Sequence, residues 1–213
     1  MKHFSILLVL CLVAMAVSVG CADPTRDKPK AVVEEAVPVP EPVTPAVAEK
    51  FVLGEGSSIG FVGSKVTGSH DGGFHSFEGE IQLVDSDPVR SSVELSIDAT
   101  SLWADNEKLT GHLKSPDFFD VETHPTAGFQ STEINPDGDH YQMVGNLTLH
   151  GITKKISFPA HITVEESVVT AEAEFSILRF DFGIEYEGKA DDLIRDAVLI
   201  QLKLVGVPAE SAG

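Results

Sequence analysis

From Phe51 onward apolar and polar residues alternate along the chain. Val93, Leu95, Ile97 and Ala99 are interleaved with Glu94, Ser96 and Asp98. Tyr141, Met143, Gly145, Leu147 and Leu149 follow the same rhythm, as do Ile156, Phe158, Ala160, Ile162 and Val164. Two further runs are Val169, Ala171, Ala173, Phe175 and Ile177, then Val198, Ile200, Leu202 and Leu204. Successive side chains of a strand point to opposite faces, so each run predicts a strand with one buried and one wet face. Many short strands separated by turns predict an all-β antiparallel barrel or sandwich.

Turn residues punctuate the runs. Asp71-Gly72-Gly73 and Pro136-Asp137-Gly138-Asp139 are read as hairpin turns. Helical turns are expected between Ala104 and Phe119, with Ser115-Pro116-Asp117 starting a second short helix. Another helix is expected over Ala190 to Arg195. Gly79, Ala99, Ala127, Gly145, Ala160, Ala171 and Ala173 are small residues in strand-like runs. They leave room inside a barrel of about eight strands if they face inward, and merely taper a packed core if not.

The pattern differs before Phe51. Lys2 precedes an apolar stretch from Phe4 to Val17, which matches a secretory signal and falls short of the ~20 residues of a membrane span. Ser18-Val19-Gly20-Cys21 resembles a lipobox, although Ser18 replaces the usual leucine. Residues 1–20 are therefore expected to be a signal peptide and Cys21 a lipidated N-terminus. The alternative is cleavage after Ala22 and a soluble periplasmic protein. Ala22 stands where aspartate would retain a lipoprotein in the inner membrane, so the outer membrane is the expected destination. Residues 21–50 hold Pro24, Pro29, Pro38, Pro40, Pro42 and Pro45 and read as a Pro-rich spacer, because each proline removes a donor and extends its neighbour. The barrel domain is expected over 51–208, with 209–213 a short tail.

Composition narrows the function. A formal net charge of -18 repels phosphate backbones and argues against nucleic acid as a partner. Cys11 and Cys21 are the two cysteines, so the expected folded region has no disulfide, thiolate catalyst or thiolate metal site.

Several motifs in order then become specific. They are Gly73-Phe74-His75-Ser76-Phe77-Glu78-Gly79, the run from Ser92-Val93 through Ile97-Asp98-Ala99-Thr100-Ser101-Leu102, and His112-Leu113-Lys114-Ser115-Pro116-Asp117-Phe118-Phe119-Asp120-Val121. After them come His124-Pro125-Thr126-Ala127-Gly128-Phe129-Gln130-Ser131-Thr132, then Gly145-Asn146-Leu147-Thr148-Leu149-His150-Gly151-Ile152-Thr153, and Arg179-Phe180-Asp181-Phe182-Gly183. Together they resemble the YceI-like family of polyisoprenoid-binding periplasmic proteins over about Phe51 to Pro208. The resemblance implies an extended lipocalin-like antiparallel β-barrel with short capping helices and an apolar tunnel for a polyprenyl or quinone tail. The expected lining comprises Phe61, Phe77, Leu95, Ile97, Trp103, Leu113, Phe118, Phe119, Phe129, Leu147, Phe158, Phe175 and Phe182. Core filling is the competing role for each of them. Trp103 departs from the family pattern and is expected to reshape the tunnel mouth. Arg179 meets either a ligand head group or an acidic neighbour such as Asp181.

Other chemistry is weaker. His70 and His75 lack further ligands placed by any motif, and no metal site is expected. Asp117, Asp120 and Glu122 lie near His112 and His124 in sequence, where helix capping is a simpler role than acid–base catalysis. No Gly-x-Ser-x-Gly elbow is present. The expected function is thus non-enzymatic binding of an isoprenoid lipid, with no cofactor, a membrane anchor and a possible homodimer. A solidly packed envelope domain and an enzyme acting on a bound lipid are the alternatives.

Overall fold

The alternating runs fold as strands of one twisted antiparallel sheet in a computed structural model, which describes residues 23–39, 48–190 and 192–209. The expected signal peptide, Cys21 and the prolines at 40, 42 and 45 lie outside the described residues. The strands are β1 (Val32–Glu35), β2 (Ala48–Leu53), β3 (Ser58–Lys65), β4 (Gly68–Phe74), β5 (Phe77–Val84), β6 (Asp87–Asp98) and β7 (Leu102–Ala104). The helix α1 (Glu107–Lys114) follows, then β8 (Thr126–Asp137), β9 (His140–Leu149), β10 (Ile152–Glu165), β11 (Val168–Leu178), β12 (Gly188–Lys189), β13 (Asp192–Leu193) and β14 (Ala197–Pro208). Hydrogen bonding runs β10-β9-β8-β6-β5-β2-β14, and β11 joins β14 back to β10. This closes an eight-stranded antiparallel barrel and leaves the ring itself no free edge.

Turn chemistry sets the register. Asp85 and Ser86 both have positive φ, as the tight turn between β5 and β6 requires, and Gly138 supplies it between β8 and β9. The Asp71-Gly72-Gly73 stretch is not a turn. Gly72 and Gly73 lie within β4, paired with Phe61 and Gly60 of β3. Side chains there would collide with the Phe61 ring and the Trp103 indole, so the glycines mark close approach.

Helical expectations hold in one place. Asn106 caps α1 by accepting the Leu109 N–H at 3.0 Å, and Leu113 buries the inner face against Phe61, Leu102, Phe118 and Ile184. Residues 116–119 form turns and no second helix. Gly188–Lys189 pairs antiparallel with Asp192–Leu193 as β12 and β13, where a helix was expected over 190–195.

The spacer expectation also needs correction. Val32–Glu35 pairs with Ser157–Lys154 of β10, where β11 does not reach. Ala31 is buried, its N–H donates to the Ser176 carbonyl at 2.8 Å, and the Ser176 N–H donates to the Pro29 carbonyl at 2.8 Å. The backbone groups exposed where β10 and β11 diverge are thereby satisfied. Prolines flank this strand without entering it, which reconciles the composition with the pairing.

Candidate ligand-binding cavity

The inward face of the barrel does not fill its interior. A cavity of about 550 Å³ is lined from every strand of the ring except β2, whose bend passes that wall to β3. Its deep part is apolar: Ile81, Val93, Leu95, Met143, Ile156, Phe158, Phe175 and Leu204 contribute. The volume falls in the roughly 300–1,000 Å³ range of small-molecule sites.

Small residues create the space. Ala127, Ala160, Ala171 and Ala173 all line the cavity, where longer side chains would cross it. Gly79 and Gly145 do a different job. A Cβ on Gly145 would lie 2.4 Å from Cζ of Phe129, and one on Gly79 would lie 2.6 Å from Cδ2 of Leu95. These glycines let a neighbouring large side chain settle against the wall. Ala99 sits in a short 3-10 turn away from the cavity.

Aromatic rings form three groups along the lining. Phe158 and Phe175 stack at 4.0 Å between ring centroids, with Phe129 5.8 Å from Phe158. Nearer α1, Phe61, Phe74 and Phe119 meet at 6.0 to 6.2 Å. His112, Phe118 and Tyr186 form a third contact set at 5.0 to 5.3 Å. Apart from the near-parallel Phe158–Phe175 pair, these tilted and edge-on contacts are the favoured ones for aromatic edges and faces.

The structure brings Phe61, Leu95, Ile97, Leu113, Phe118, Phe119, Phe129, Leu147, Phe158, Phe175 and Arg179 together around the cavity. Three expected residues lie elsewhere. Phe182 is fully buried and Phe77 is partly buried in the surrounding core, and neither lines the space. Trp103 stacks on His75 at 5.8 Å and covers Gly73, so it does not shape the mouth. Its neighbour Leu102 takes the interior side instead, being 1% exposed. Alternation over the three residues of β7 is too short to assign faces from sequence.

The end of the cavity near α1 is polar. Ser64, Lys65, His70, Lys108, His112, Lys189, Asp192 and Arg195 border it. Lys65 pairs with Asp192, whose second oxygen accepts the Thr67 hydroxyl at 2.9 Å. The Lys65 and Thr67 hydrogen bonds hold the Asp192 carboxyl below the usual carboxylate range, Lys65 contributing most. Arg195 reaches Asp23 at 3.5 Å. Ser64 Oγ and Arg195 Nε are buried without a hydrogen-bond partner among the described residues.

Arg179 is buried, not a surface arginine paired with Asp181. Its Nη1 donates to the Ile184 carbonyl at 2.6 Å, its Nε to the Arg195 carbonyl at 3.2 Å and its Nη2 to the Ile194 carbonyl at 3.4 Å. Burial pushes the guanidinium below its ordinary value, partly opposed by Asp196 and Glu187. The five-donor fork thus pins the segment that borders the polar end. His70 and His75 diverge: His70 contacts Asp105 at 2.8 Å, while His75 stacks on Trp103.

Known proteins share this architecture. A UPF0312 protein of Pectobacterium atrosepticum is 36% identical over 91 residues, covering 43% of this chain and 47% of that protein. A UPF0312 protein of Pseudomonas aeruginosa is 35% identical over 91 residues, covering 43% of this chain and 48% of that protein. The matched stretch spans about half the length of these curated relatives. Among solved structures, Burkholderia cenocepacia BcnA has a TM-score of 0.62 at 23% identity, covering 70% of this chain and 95% of that one. A polyisoprenoid-binding domain from Saccharophagus degradans has a TM-score of 0.61 at 16% identity, covering 76% of this chain and 99% of that one. Both likenesses establish a common fold. The YceI-like domain matches residues 52–206, which reach into all eight strands of the ring, and the chain belongs to the YceI-like domain family.

Proposed function

We propose that the barrel binds one long apolar lipid, a polyprenyl or quinone tail, for sequestration or transport within the cell envelope. The observation that carries this reading is the apolar cavity with one polar end. Burying an apolar chain contributes about 25 cal/mol per Å² of surface removed from water, so retention needs no catalytic group. The tail would lie along Phe129, Phe158 and Phe175, and its head would rest near Lys65, Asp192 and Arg195. The polyisoprenoid-binding neighbour from Saccharophagus degradans supports the choice of ligand class by fold analogy.

The open interior favours this reading over a solidly packed envelope domain. A non-enzymatic role is the simpler one: the two shifted groups bordering the cavity, Arg179 and Asp192, are engaged in holding neighbouring backbone and side chains. Lipidation at Cys21 would keep the barrel beside the membrane that supplies the ligand.

Competition tests the assignment. An apolar fluorescent probe bound in the cavity is displaced by long-chain quinones and polyprenols and not by their head groups alone. Failure of every prenyl compound to displace it contradicts the isoprenoid reading.

A further inference from the structure

We propose that Asp120, His124 and His150 form a binding site for one divalent transition-metal ion, with Zn²⁺ the best match. Their ligand atoms lie within 4.8 Å of one another, and all three residues are partly buried. The site lies on two loops, the turns after α1 and the tight turn between β9 and β10.

His150 is prepared as a ligand. Its Nδ1 lies 3.1 Å from the Phe182 carbonyl, which can only accept. Nδ1 therefore carries the proton, leaving Nε2 with its lone pair, the arrangement usual for a metal-bound imidazole. The rings of His124 and His150 meet edge to face at 4.9 Å. Neither the His124 ring nor the Asp120 carboxylate has a hydrogen-bond partner among the described residues. The other histidine–carboxylate contacts among the described residues differ in this respect: His112 is engaged by Asp117, His70 by Asp105, and His140 by Asp137 and Asp139.

The backbone is committed to the arrangement. Asp120 has φ +44° and His150 has φ +51°, both in the left-handed region. His150-Gly151 fills a two-residue turn where Asn-Gly is the favoured pair. Gly151 is required on a second count, because a Cβ there would approach Cε1 of His124 to 2.5 Å. Three separate local choices thus converge on one point.

Two imidazoles and one carboxylate suit Zn²⁺ or its neighbours, whereas Mg²⁺ and Ca²⁺ prefer all-oxygen sets. Three protein ligands leave the fourth tetrahedral position to water. The ion would tie the loop bearing Phe118 and Phe119 to the turn that follows Leu149, and all three of those side chains line the cavity. Metal occupancy would therefore stiffen the cavity's wall at its α1 end.

The test uses the chain without its signal segment, treated with chelator and titrated with Co²⁺, then Zn²⁺, with Mg²⁺ as control. One equivalent of Co²⁺ should give the visible absorption of tetrahedral coordination, and Zn²⁺ should abolish it. Asp120→Asn and His150→Asn keep residues that tolerate positive φ. Each should weaken binding at least tenfold while the metal-free thermal transition persists, and His140→Gln, remote from the cavity and the three ligands, should leave binding unchanged. Absence of stoichiometric binding overturns the proposal, as does binding that survives both Asn variants. Lipid retention plays no part in this readout, so the metal site and the lipid reading can fail separately.

Discussion

The ring of Phe129 occupies the place a side chain on Gly145 would take: a Cβ there would come within 2.4 Å of Cζ and 2.5 Å of the Gln130 carbonyl oxygen. Phe61 stands in the same relation to Gly72, at 2.3 Å. Both phenylalanines line the cavity. A glycine on the adjoining strand lets each ring lie along the wall, so bulk is added to the barrel without closing its interior.

Gly145→Ala should therefore push Phe129 into the lumen. The overpacking is expected to cost about 1–3 kcal/mol in chemical denaturation and to lower the amount of lipid retained. Unchanged stability together with unchanged retention would show that the ring has another place to go.

Cavity length should govern ligand length. Ala171 lies deep along the lining, on β11 opposite Leu204 of β14. Ala171→Phe should fill that end, weakening long prenyl chains while short-chain quinones still bind. Equal weakening of short and long chains in the competition assay would place the tail elsewhere.

The strands were the most legible part of this sequence, because each period-two run from Val93 to Leu204 had one side to bury. The closed ring came from the family resemblance, since alternation alone admits a sandwich. Local composition misled where tertiary contacts decided the outcome. Gly72 and Gly73 read as a turn until the Phe61 ring and Trp103 indole claim their space. Residues 32–35 read as spacer because their partner strand is more than a hundred residues away. Asp120, His124 and His150 sit within three quoted motifs, yet only the fold brings their two loops together.

The polar end should respond to acid. Lys65 and Thr67 hold the Asp192 carboxyl below its ordinary value, so its contribution to stability is present above the usual carboxylate range. That contribution is lost as pH falls through the lowered value. Asp192→Asn should thus melt earlier than the parent chain at neutral pH, and the gap should narrow under strong acid. A gap that stays constant with pH would remove the ion pair from the explanation.

Cys21→Ser tests the anchor. With Cys21 lipidated, the parent chain should sediment with membranes and incorporate labelled palmitate, and the variant should do neither. Absence of palmitate from the parent would favour the soluble periplasmic alternative, and palmitate retained by the variant would place the acylation elsewhere than Cys21.

The measurement that bears most directly on lipid binding is native mass spectrometry of the chain from Ala22 onward, purified from a bacterial envelope, before and after organic extraction. A bound prenyl or quinone mass that disappears on extraction is the predicted result. A single unliganded mass, still unchanged after incubation with polyprenols and quinones, would contradict it.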